Sequence, residues 1–237
     1  MDVLAELWSR AIAVQPPLDQ WVVLVTGAVA LLLTVVAWPV VRLLITICHE
    51  AGHATVALLA GRRLSGIKLH TDTSGVTVTK GRPTGPGMVA TLFAGYPTAS
   101  LTGLAAAVVA ASGHAGALLW GFVALLAVML LAIRNVYGAL VVLVVGGIVA
   151  TVSWFAPAPI LAIAAYLLAW LLLWGGTRPV IEVARSRSAT SDPAQLASLT
   201  RLPKFVWLVV WFVICIGSLV WGAAAMLPAV LAGLPAA

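Results

Sequence analysis

The chain has 237 residues, of which 62% are hydrophobic and only 8% charged. Soluble domains carry about 25% charged residues, so a soluble globular domain is excluded and the chain reads as an all-α polytopic membrane protein. The formal net charge of +6 is explained by topology signals and calls for no nucleic-acid partner. Cys48 and Cys215 both lie in apolar runs, so no disulfide framework is implied.

In residues 1–20, Val3, Leu4, Leu7, Trp8, Ala11 and Ile12 recur at helical spacing, the pattern of a short helix lying in the membrane interface. The apolar run 21–60 would be about 60 Å long as one helix, twice the hydrocarbon thickness. It is therefore expected to make two passes, broken at Pro39. Further passes are expected at 88–111, 117–133, 136–155, 159–174 and 205–225, about seven transmembrane helices in all. Alternating passes put the N-terminus and segments 61–87, 134–135 and 175–204 on one side. Every lysine and arginine except Arg42 then shares that side. The positive-inside rule makes it cytoplasmic, with the N-terminus cytoplasmic and the C-terminus outside.

The expected organisation is an interfacial segment at 1–20 and a membrane core at 21–174, then a cytoplasmic loop at 175–204 and a last helix with its tail at 205–237. Between the second and third passes, LSGIKLHTDTSGVTVT alternates apolar and polar residues about a Thr-Ser-Gly turn, which predicts a cytoplasmic β-hairpin at 64–80. In the 175–204 loop, Asp192-Pro193 reads as the start of a short helix running through Leu199.

The chemistry concentrates in Cys48-His49-Glu50-Ala51-Gly52-His53, on the helix predicted at 40–60. Histidines at i and i+4 share one helical face and can reach one metal, and the glutamate beside the first can act as general base. A hydrogen-bonded polar cluster locking helices together is the alternative reading. Ionisable groups among VRLLITIC and ATVALLA cost several kcal/mol unless paired or functional. His53 stands seven residues from the boundary at Ala60, about 10 Å at helical rise, which keeps the site within reach of water.

The stretch HEAGHATVALLAGRRLSGIKLHTDTSGVTVT, with AGYPTAS at 94–100 and TSDPAQLASLTRLP before the last helix, resembles the site-2 protease superfamily. These are intramembrane zinc metallopeptidases, peptidase family M50, and the resemblance is to the M50B-like branch. It implies a zinc-dependent endopeptidase of a bacterial plasma membrane that cuts transmembrane segments of membrane-protein or peptide substrates near the cytoplasmic side. By matching positions, His49 and His53 would be zinc ligands and Glu50 the catalytic base. Gly95, Pro97 and Ser100 would lie in the substrate-binding motif, with Ser100 standing where an asparagine is usual.

Catalytic zinc usually has three protein ligands, and the resemblance implies an aspartate on a later core helix. Among the acids only Glu50 lies in an apolar run, so no aspartate fills that place. Asn135, in the polar break Arg134-Asn135, is the third-ligand candidate, although the same residues also suit a simple turn. His70 and Asp72 of the hairpin are further candidates. A relative without the third ligand could instead be an inactive binding or scaffold protein.

Overall fold

The computed structural model describes residues 2–227. Its helices are α1 (Val3–Ile12), α2 (Gln20–Val36), α3 (Trp38–Leu59), α4 (Pro86–Ala111), α5 (Ala115–Ala132), α6 (Val136–Phe155), α7 (Ala158–Arg185), α8 (Asp192–Thr200) and α9 (Lys204–Met226). Between α3 and α4 stands one hairpin, β1 (Arg63–Leu69) with β2 (Gly75–Lys80). Local chemistry sets many of these ends. The Asp19 side chain accepts from the Trp21 amide to start α2, Pro39 sits in the first turn of α3, and Gly61 takes a left-handed φ of 72° just past its end.

The span count differs from the sequence expectation. Five helices, α4, α5, α6, α7 and α9, are each long and apolar enough to cross a membrane. The pair α2 and α3 is bent by 100° at Ala37, just before Pro39, and adds a sixth crossing if counted as one span. Among the described residues the seven-span count is not confirmed. Side-chain contacts show how the pair is arranged. Gly27 packs on the Trp170 indole, and Arg178 donates to the Thr34 carbonyl at 2.6 Å, so α2 runs parallel to α7. The Arg178 guanidinium then lies 4.4 Å over the Trp38 ring at the bend. The bend therefore sits at the end of the bundle where α7 runs out into the connector leading to α8. From there α3 continues along α4 in the opposite sense, with His53 beside Thr91 and Ala60 beside Gly87. It never reaches the far end.

This arrangement corrects the expected placement of the N-terminal segment. Arg10 donates to the Trp154 carbonyl at 2.7 Å, and the Gln15 amide donates to the Gly113 carbonyl at 2.8 Å. Both acceptors lie at the end of the bundle opposite the hairpin, so α1 is at that far end and not on the basic face. Arg42, set apart by the sequence reading, faces Glu182 at 4.0 Å beside the basic connector. One arginine has changed places with the other. The basic residues thus concentrate on one face equally well under either count, and charge alone could not choose between them.

The core is a packed helical layer of α4 against α7, with α3 and α9 on the flanks of α4. Gly103 admits the Leu172–Leu173 backbone and Gly176 admits Ser100; a Cβ on either glycine would strike its neighbour. The two strands pair antiparallel, with an irregularity between Leu64 and Gly66. The outer side of β1 is tied to the α5–α6 junction by the Arg134 amide, which donates to the Ile67 carbonyl at 2.9 Å. The expected hairpin is present. So is the break at Arg134-Asn135, which separates two helices.

Candidate metal centre

His49 and His53 project from one face of α3 as the i, i+4 spacing requires, with their Nε2 atoms 2.9 Å apart. Nδ1 of His53 lies 2.7 Å from the Thr91 carbonyl on α4. A carbonyl only accepts, so Nδ1 carries a proton, and Nε2 is the ring atom turned toward His49. The third member is Asp192, the first residue of α8, whose Oδ2 is 3.2 Å from Nε2 of each histidine. The three ligand atoms lie within 4.8 Å of one another. Tetrahedral zinc with bonds of about 2.0–2.1 Å separates its ligand atoms by roughly 3.3 Å, so two imidazoles and a carboxylate at these spacings fit zinc.

The surroundings are shaped to that convergence. A Cβ on Gly95 would stand 2.5 Å from Nε2 of His53 and 2.6 Å from Cε1 of His49. Only glycine lets α4 approach the two rings. Gly52, on α3 itself, abuts Thr98 and the Ala94 carbonyl in the same seam. The Tyr96 ring meets His49 edge-on at 4.8 Å and stacks at 4.6 Å on Trp211, whose Nε1 donates to the Phe93 carbonyl at 2.9 Å. Asp192 is placed by α8, which is anchored through fully buried Pro193 and Leu196. Burial pushes its carboxyl up, but hydrogen bonds from His49 and His53 outweigh that and hold it below the usual carboxylate range.

Glu50 is 3% exposed and points away from the ring pair toward β2. Its Oε2 accepts from Thr77 Oγ1 at 2.6 Å, and a Cβ on Gly75 would stand 2.7 Å from Oε1. Glycine at the turn end of β2 therefore leaves room beside the carboxylate. A cleft of about 440 Å³ opens over these groups, lined on one side by Gly75, Val76 and Thr77 and on the other by Tyr96, Asp192 and Gln195.

The remaining sequence candidates fall elsewhere. Asn135 is not in the cluster: its Nδ2 donates to the Leu69 carbonyl at 2.7 Å and its Oδ1 accepts the Leu69 amide at 3.2 Å. It closes the end of β1 as a strand neighbour would. Ser100 is fully buried against Gly176, and Pro97 is buried within α4. His70 lies 3.1 Å from Ser74 Oγ, and Asp72 accepts from both the amide and the hydroxyl of Ser74, so both shape the hairpin turn. Asp192 was missed because acids were sought inside apolar runs, whereas α3 itself does not traverse the bundle. The one signal that pointed to it was the Ser-Asp-Pro start of a helix within a segment already noted for its resemblance.

Together the fold and the cluster define a membrane protein with an HExxH helix and, beside a short hairpin, a His-His-Asp cluster that could hold a metal ion. The family described as Peptidase M50B-like matches residues 21–222, and the chain belongs to that family. No curated protein and no solved structure matches it.

Proposed function

We propose that the protein is a zinc-dependent intramembrane endopeptidase of site-2 protease type, with His49, His53 and Asp192 holding the metal and Glu50 acting as general base. The observation that carries this is the meeting of Asp192 with the two histidines, which supplies the carboxylate ligand that the sequence alone did not provide. Zinc held there would supply Lewis acidity toward a water and toward the scissile carbonyl. Glu50, held by Thr77, takes the proton from the attacking water and passes it to the departing amine. The outer edge of β2 along Val76 and Thr77 faces the cleft, and an extended substrate segment can pair with it before cleavage.

The substrate is a membrane-spanning segment entering from the bilayer, because apolar helices surround the cleft and its own lining is histidine, carboxylate and strand. The basic face, which carries the hairpin, connector and cleft, is assigned to the cytoplasm by the positive-inside rule. That puts α1 and the end of α9 outside, in place of the cytoplasmic N-terminus expected from seven passes. The membrane is taken to be a bacterial plasma membrane.

Purified protein is expected to bind one zinc per chain and to cut membrane-segment peptides in a chelator-sensitive way. Glu50→Gln is expected to retain zinc and lose at least roughly a hundredfold in rate. Unchanged cleavage by that variant would overturn the assignment of the base, and absence of zinc from the wild type would overturn the proposal as a whole.

A further inference from the structure

A second cavity, of about 570 Å³, lies on the opposite side of α3 from the metal cleft. The two do not share α3 residues: the cleft takes His49, Glu50 and His53, and the cavity takes Ile47, Cys48, Ala51 and Thr55. It is walled by α3, the Thr98 and Thr102 side of α4, and the apolar residues of α5 from Phe122 to Ala132, and it is closed at one end by Leu64 and Ile67 of β1. Its outer lip on α5 is exposed, with Leu125 at 63%, Val128 at 66% and Leu131 at 77%. These exposed apolar residues lie on a helix long and apolar enough to cross a membrane, so the mouth of the cavity suits lipid better than water.

At the β1 end stands Arg134, and its position is built. The backbone amide is fixed to β1 by the bond to the Ile67 carbonyl at 2.9 Å. The side-chain stem lies across Gly66, where a Cβ would collide with it. Nη1 donates to the Leu131 and Ile133 carbonyls at 2.7 and 2.9 Å, and among the described residues Nε and Nη2 have no partner and no carboxylate pairs with the group. An apolar slot of acyl-chain proportions therefore ends at an uncompensated guanidinium. It ends, moreover, on the basic face of the bundle, beside the hairpin.

The geometry points to a bound anionic phospholipid, one acyl chain filling the cavity between α3 and α5 and the phosphate meeting Arg134. A guanidinium pairs with a phosphate through parallel N–H donors. A zwitterionic headgroup carries its own cation close to the phosphate, so an anionic lipid is favoured. The occupant would support α3 from behind while the metal cleft works on the other face, and the inference stands whether or not the cleft is proteolytic.

The full-length protein in detergent, exchanged with phosphatidylglycerol or phosphatidylcholine of equal chain length, tests this by native mass spectrometry. One phosphatidylglycerol per chain is expected to be retained roughly fivefold more strongly than phosphatidylcholine. Arg134→Gln is expected to abolish that preference. Val128→Trp on the exposed lip, where added bulk does not overpack the core, is expected to release both lipids. Cys48 lines the cavity and Cys215 does not, so bound lipid is expected to slow labelling of Cys48 alone by a membrane-permeant maleimide. Equal retention of the two lipids by the wild type, a preference that survives Arg134→Gln, or lipid retained by Val128→Trp would each overturn the assignment.

Discussion

The metal cluster is assembled from two regions of very different character. His49 and His53 come from one turn of α3, with one ring oriented by the Thr91 carbonyl and both packed against Gly95. Asp192 comes from a nine-residue helix, α8, in a polar connector far along the chain, and it is positioned mainly by burial of Pro193 and Leu196. One half is therefore rigid and local. The other depends on tertiary docking, so disturbing the fold should loosen the carboxylate before it loosens the histidines.

The comparison can be broken most severely from the α3 side. His53→Ala removes a ligand and leaves the other two unable to hold the ion, so zinc measured on the purified protein is expected to fall below one-tenth of the wild-type stoichiometry, about a 10-fold loss or more. Asp192→Asn keeps the shape but removes the anion. Zinc affinity is expected to drop by roughly a hundredfold in a chelator competition, with both histidines still present. Affinity unchanged by Asp192→Asn would show that the carboxylate is no ligand.

Leu196→Ala sharpens the contrast by acting only on the docking of α8. Truncating a fully buried leucine costs about 2–5 kcal/mol, paid here by a peripheral helix, so zinc affinity is expected to weaken about tenfold while the melting of the remaining bundle, followed by circular dichroism, changes little. The smallest effect is expected from Thr77→Val. It removes the hydroxyl that holds Glu50 and no ligand, so turnover of a peptide substrate is expected to fall by about tenfold with zinc content intact.

The α3 half was legible in the sequence because helical periodicity turns a spacing of four into a shared face, and scarce polar residues stand out in an apolar run. The hairpin was legible for a related reason, since alternation and a Thr-Ser-Gly turn are local signals. Asp192 was not, because no local pattern tells that α8 folds back against α4. The seven-span count was left unconfirmed for another reason. Hydropathy sees that residues 21–60 are too long for one crossing, but it cannot see that the chain turns through 100° at Ala37 and leaves α3 on one side. Asn135 was read as a ligand candidate because it interrupts an apolar run. Its amide instead both donates to and accepts from the Leu69 backbone, a role that any residue-type argument would overlook.

The bend between α2 and α3 has a bearing on handling the protein. With α3 kept to one end, and the bent pair counted as one span, the crossings number six, and α1 and the last turn of α9 pack at the end of the bundle remote from the metal cleft. A label placed on α1 is therefore expected to leave the hairpin, the connector and the cleft unobstructed.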